Sequence, residues 1–317
     1  MFPLIRLFPT EPRLNILAAR TWLLCLSALL LTGSLVAMGT LGLNFGVDFK
    51  GGTVVEIRTK GPANLEDLRS RLNGLGLGEI TLQQFGSPTD VLINVPQQGA
   101  DTDTDAQVAA IEKVKTELGD SVAEYRRTEY VGPRVGSELR QAGLLATVLA
   151  MLAIALYIWF RFEWQFAFAA LLALVHDVVA TVGFLSITQI QFDLATLAAV
   201  LTIAGYSIND TVVVFDRVRE TMRKYKKGSV PGLLNAAVNS TLSRTTLTSL
   251  TTLIALIPLY LFGGEAINGF TAALIWGIVI GTYSTIGIAV PLIYYLGIRS
   301  DSVAVPSKQE AAKADAS

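Results

Sequence analysis

Four ionisable residues sit inside otherwise uncharged apolar runs. His176 and Asp177 are adjacent in LLALVHDVVATVG, Asp210 lies in TIAGYSINDTVVVFDRVRE, and Arg244 lies in STLSRTTLTSLTTL. Ionisable groups at membrane depth are costly and mark ion or proton pathways by default. Asp210 precedes Asp216, where a basic stretch begins, by 6 residues. At 1.5 Å per residue that is about 9 Å from the basic end of its helix. Thr202, Tyr206 and Asp210 share a helical face, with Ser207 beside them and Asn209 next to the carboxylate. A buried carboxylate without a full-time partner can exchange protons near neutral pH. The competing reading is a satisfied structural carboxylate; proton exchange is preferred.

Arg244 lies about 27 Å below the opposite end of its helix near Phe262, and Asp210 about 24 Å below Leu194 by the same rise. The two thus share a depth on helices able to pack together. Ser240, Arg244, Thr248 and Thr252 form a polar stripe. Arg244 has two readings, partner of Asp210 or a side chain snorkelling to the interface. His176 and Asp177 point about 100° apart on a helix and do not form a metal pair. For His176 a local hydrogen bond between helices is the preferred reading. Asp177 keeps both readings, structural and proton-carrying.

Other chemistries are excluded. One histidine and one cysteine (Cys25) allow neither a Cys/His zinc cluster nor a disulfide framework. No Gly-Lys dipeptide is present, so there is no Walker A loop. A net charge of -1 argues against nucleic acid as a partner. No catalytic residue, metal or cofactor is expected.

The elements that must hold these residues are membrane spans. The chain of 317 residues is 51% hydrophobic and only 16% charged, and about 20 apolar residues make a span. Six are expected: 20–43, then about 139–160, 164–187, 194–215, 244–263 and 267–297. The first run is longer than a signal-peptide core and is read as a retained signal anchor. Basic residues cluster before the first span, at Arg161, and from Arg217 to Lys227, whereas the connections near 189–193 and 263–268 have none. The positive-inside rule then places residues 1–19 and both termini in the cytoplasm. It places residues 44–138 outside, and 139–298 form a five-helix membrane region. The tail 299–317, rich in Ala, Lys and Ser, is expected to be disordered.

Residues 48–140 carry 26 of the 51 charged residues, as a water-facing domain should. Strand-like alternation at 52–60, 79–85, 91–95 and 121–130, with a turn at 86–90, and helical spacing at 64–75 and 105–118 give the order β-α-β-β-α-β. That is the split, ferredoxin-like α+β arrangement. Gly269, Ala273, Gly277, Gly281, Thr285 and Ala289 recur every fourth residue in the last span, a stripe suited to close helix packing.

Six segments, in order and spacing, resemble the SecF family of bacterial protein-export membrane subunits. They are GVDFKGGT (46–53), VGPRVGSELR (131–140), HDV (176–178), GYSINDTVVVFDRVRE (205–220), SRTTLTSLTT (243–252) and LFGG (261–264). The resemblance covers nearly the whole chain. It implies the membrane fold of the RND superfamily and location in the cytoplasmic (inner) membrane. It implies a separate SecD chain supplying a second six-helix half, with the SecYEG channel, YajC and an unfolded preprotein as further partners. It implies use of the proton-motive force, with sodium as the alternative coupling ion. The family's intramembrane Asp and Arg fall on Asp210 and Arg244, and its structural motifs on Gly46, Asp48, Gly51, Gly52, Gly132, Pro133 and Gly136. The functional alternative is an RND-like proton-coupled exporter of small molecules or lipids.

The orientation is directly testable. A cysteine introduced at Gln98 should react with a membrane-impermeant thiol reagent added from outside, and one at Lys226 should not; reversed labelling would invert the topology.

Overall fold

The computed structural model describes residues 14–298 except 79, 86, 100–103, 226–227 and 265–266. Arg6 and Arg13, Lys226 and Lys227, and the tail 299–317 lie outside the described residues. A 3-10 turn (Ile16–Ala19) leads into α1 (Arg20–Thr40). A one-turn helix α2 (Val47–Lys50) then precedes the α+β domain, the one expected outside the membrane and called the outer domain on that expectation.

That domain contains β1 (Gly52–Thr59), α3 (Leu65–Asn73), β2 (Thr81–Phe85), β3 (Ser87–Val95), α4 (Thr104–Leu118) and β4 (Val122–Val131). The sheet is antiparallel with order β2-β3-β1-β4, the ferredoxin-like topology. The period-2 pattern of β1 and β3 turns Val55, Ile57, Val91 and Ile93 onto Leu68, Leu72, Val114 and Leu118 of the two helices, all buried. Full burial of each such side chain contributes about 1.5–3 kcal/mol. Asn64 caps α3, accepting from the amides of Glu66 and Asp67 at 3.2 Å each, so the helix begins where a side-chain acceptor is available.

The expected turn at 86–90 is instead mostly strand, because Asp90 stays in register with Arg58. It accepts from that guanidinium at 2.8 and 3.2 Å and from Arg126 at 3.2 Å. The Arg58 hydrogen bond holds the Asp90 carboxyl below the usual carboxylate range, so this network on the sheet's outer face keeps its charge at neutral pH.

Six helices are long and apolar enough to cross a membrane. They are α1 with its leading turn, α5 (Pro133–Arg161), α6 (Trp164–Thr188), α7 (Leu194–Lys224), α8 (Val230–Phe262), and a last span formed by α9 (Asn268–Ser284), a π turn (Thr285–Ala289) and α10 (Val290–Tyr295). Three bounds differ from the sequence expectation. Helix α5 starts at Pro133, with Gly132 as N-cap, so β4 runs into a membrane helix with no linker between. Proline needs no hydrogen bond at a first turn, and this fixes the start. Helix α7 continues to Lys224 and α8 begins at Val230. Charge-free runs mark the lipid-crossing part of a helix, not its ends. Arg244 accordingly lies in mid-helix and does not open α8.

Helices α6, α7 and α9 are the more enclosed ones, and α1, α5 and α8 turn most of their surface outward. The small-residue stripe packs internally. A Cβ on Gly277 would fall 2.2 Å from the Ile203 side chain, and one on Gly281 would fall 3.0 Å from Ser207, so α9 rests directly on α7. The π turn immediately precedes Val290 and Pro291; proline has no N–H for the carbonyl one turn back, and a widened turn accommodates that loss.

Candidate proton-coupling site

Asp193 sets the start of α7. Its carboxylate accepts from the Thr196 amide at 2.7 Å, and the Thr196 hydroxyl accepts from the Asp193 amide at 2.8 Å, a reciprocal capping box. Four turns further down, Asp210 is 5% exposed, and its Oδ2 has no hydrogen-bond partner among the described residues. Arg244 is exposed on the neighbouring α8. No ion pair within 4.0 Å joins it to Asp210 among the described residues. Matched depth therefore brings the two into one field without direct pairing. Arg244 also lines a cleft of about 340 Å³ at the basic end, with Asp216, Arg217, Glu220, Ser240 and Thr241 among its walls.

The hydroxyls around this pair are mostly engaged. Tyr206 meets Thr252 across α7 and α8 at 3.3 Å. Thr248 donates to carbonyls of its own helix, Thr245 at 2.8 Å and Arg244 at 3.2 Å, and Ser240 accepts from Arg217 at 2.8 Å. Thr202, Asn209, Arg244 and Thr248 all lie on the exposed surface. They form an uncovered polar face at bilayer depth.

Asp177 is arranged differently. It is fully buried, and its Oδ2 accepts from Ser207 of α7 at 2.5 Å and from Ser284 of α9 at 2.6 Å. Its Oδ1 lies 3.0 Å from His176 Nδ1. Thr211 and Thr285 continue the contact one turn on, at 2.9 Å. His176 bonds to its sequence neighbour, not to another helix as expected, and its buried Nε2 has no partner among the described residues. The carboxylate thus ties three helices together, one turn from Asp210. The sequence reading placed Ser207 near Asp210, took Thr285 as part of a packing stripe and did not single out Ser284. The available signal was the run of four hydroxyl-bearing residues, Thr282 to Thr285, in the last span.

The glycine motifs converge on the other end of α7. The Gly46 amide donates to the Phe192 carbonyl at 2.9 Å, and the Phe192 amide donates to Asn44 at 2.7 Å. Asp48 accepts from the Leu194 amide at 3.0 Å, at the head of α7. Phe45, Phe49 and Phe192 pack ring to ring at 5.7–6.1 Å. Gly51 and Gly52 turn the chain into β1 with positive φ, and a Cβ at Gly52 would stand 2.6 Å from the Val95 carbonyl oxygen. Gly132 and Pro133 start α5, and Gly136 lets it lie on α2. These residues form a clamp gripping the outer domain, α5 and α7 together.

The two buried carboxylates should respond oppositely to removal. Asp177→Ala strands two buried hydroxyls that bonded to a carboxylate, each bond worth about 1.5–3 kcal/mol, and should lower the melting temperature in detergent markedly. Asp210→Asn should melt within a degree or two of the wild type. Equal effects would show that Asp177 is not the anchor described.

Residues 110–299 match the family described as "Protein export membrane protein SecD/SecF, C-terminal", and residues 36–63, which include the clamp's first half, match the "SecD/SecF GG Motif". The protein translocase subunit SecF of Desulfurispirillum indicum is 46% identical over 281 residues, covering 87% of this chain and 89% of that one. The protein translocase subunit SecF of Rickettsia rickettsii is 43% identical over 296 residues, covering 92% and 94%. Among solved structures, SecDF from Thermus thermophilus, titled a translocon-associated membrane protein, superposes with a TM-score of 0.82 at 32% identity. It covers 92% of this chain, which spans only 39% of that longer one. SecDF in a super-membrane-facing form matches with a TM-score of 0.68 over 97% of this chain. With six candidate spans, a ferredoxin-like domain after the first of them and a clamp on the matched glycine motif, the chain belongs to the SecF family of protein translocase subunits.

Proposed function

We propose that this subunit works with SecD to convert the proton-motive force into movement of the outer domain. That movement promotes passage of an unfolded preprotein through SecYEG, with YajC as an accessory partner. The observation that carries the reading is Asp210, a buried carboxylate with one oxygen unpartnered, on the helix whose far end is held by the clamp. Exposed Asn209 and Arg244 at bilayer depth support a SecD half packed there, since lipid tails offer such groups no partner. The longer SecDF chain, of which this one spans 39%, has length for two such halves. With both termini cytoplasmic, the Arg244 cleft opens to the cytoplasm and gives a released proton its exit.

The chain performs no bond chemistry in this reading. Protonation of Asp210 removes a negative charge from the field of Arg244. The attraction between α7 and α8 weakens, α7 shifts, and the clamp transmits the shift to the outer domain. One charge crossing the field gains about 2.3 kcal/mol per 100 mV, enough to bias two arrangements several tens-fold.

The test is proton-motive-force-dependent export in vesicles whose only SecF is the variant. Asp210→Asn should assemble with SecD yet lose the stimulation, and Arg244→Leu should do the same. Full stimulation by the Asn variant would remove Asp210 as the proton carrier.

A further inference from the structure

At the basic end of the bundle, a cleft of about 410 Å³ between the ends of α5 and α7 is lined by Arg161, Asp216, Arg219, Glu220, Arg223 and Lys224. Basic residues at this end are expected from topology alone, and a positive surface by itself would need no ligand. The arrangement of two guanidinium groups goes further. Arg161 and Arg219 both lie against the Phe162 ring, with Cζ at 4.9 and 5.5 Å from its centroid. Two like charges gathered at one ring repel unless an anion is shared between them.

The acids nearby do not fill that role. Asp216 is taken by a terminal nitrogen of Arg161 at 2.8 and 2.9 Å, and Glu220 by Arg217 at 2.7 Å. Glu163 lies near Arg219 and Arg223, but its Oε2 is buried and accepts no hydrogen bond from either among the described residues. Among the described residues Arg219 makes one long hydrogen bond, to the Arg161 carbonyl at 3.4 Å, and its buried Nε has no acceptor. Arg161 and Arg219 line one cleft, and the oxygens of a phosphate can accept from two guanidinium groups at once.

The depth points to the source of the phosphate. Arg161 ends one span and Trp164 begins the next. Trp159, Phe160 and Trp164 are exposed on the surrounding surface, the aromatic belt that marks the headgroup level. We propose that this cleft binds the phosphodiester headgroup of an anionic phospholipid of the leaflet at the basic end, with Arg219 and Arg161 as the phosphate ligands. The lipid would brace the end of α7 that lies beyond Asp210.

Native mass spectrometry of the full chain in mild detergent tests this, with phosphatidylglycerol and phosphatidylcholine offered at equal concentration. The wild type should retain phosphatidylglycerol preferentially. Arg219→Gln should weaken that retention about fivefold to tenfold. Arg217→Gln removes the same charge at the same end from outside the cleft and should change retention less than twofold. Arg219→Lys keeps the charge without the fork and should fall between wild type and Arg219→Gln, which also guards against a folding defect in the latter. Equal retention of the two lipids, or equal losses in the Gln variants, would mean that these are topology charges only. Inorganic phosphate at millimolar concentration should not displace the lipid or raise the melting temperature; if it does both, the site takes free phosphate and the lipid assignment is wrong.

Discussion

A single added carbon at position 136 would stand 3.1 Å from the Gly51 amide nitrogen and 3.3 Å from the Asp48 carbonyl oxygen. The first turn of α5 therefore rests on the backbone of α2, with no side chain between them. From α2, Asp48 reaches the first amide of α7, and Gly46 and Asn44 exchange main-chain bonds with Phe192. Backbone contacts of this kind do not rearrange by rotamer changes, so they transmit displacement with little loss. The outer domain enters the clamp through Gly52 and leaves it through Val131. It is joined to the membrane region at both ends by the same few residues.

Below the clamp, α7 carries its two kinds of polar contact one turn apart. Ser207 commits to Asp177, which is closed on every side by Ser284 and His176. Asp210 has an oxygen with no hydrogen-bond partner among the described residues. A satisfied buried carboxylate resists change, because every partner must be re-satisfied. An unsatisfied one is poised for it. The Asp177 hub fastens α7 to α6 and α9, and on the proposed reading Asp210 is the group whose charge would shift α7 about that hub. The packing of Gly277 and Gly281 against α7 keeps that motion a slide or tilt of close-packed backbones.

Much of this was legible in the sequence. The six spans, the β-α-β-β-α-β order and the depths of Asp210 and Arg244 all follow from period and charge, properties a chain displays locally. Three things were not legible. The true ends of α7 and α8 were hidden because helix continues where hydrophobicity stops, held by the helical ladder and side-chain pairs such as Arg217 with Glu220. The strand at 87–90 was hidden because Asp90 reads as a turn residue until Arg58 and Arg126 are placed opposite it. The absence of direct pairing between Asp210 and Arg244 was hidden because depth is one coordinate, and rotation about each helix axis is set by tertiary contacts such as Ser207 to Asp177.

Coupling between Asp210 and the outer domain is most directly measured as a distance. Spin labels at Lys113 on α4 and Leu261 at the outer end of α8 are both on the exposed surface, and pulsed electron resonance reports their separation in a Cys25→Ser background with SecD present. If the carboxylate's charge sets the position of α7, the distance distribution of Asp210→Asn, a fixed neutral form, differs from that of the wild type at alkaline pH and matches the wild type's distribution as the pH is lowered. Superimposable distributions for the two proteins at every pH would contradict a link between the buried carboxylate and the domain outside.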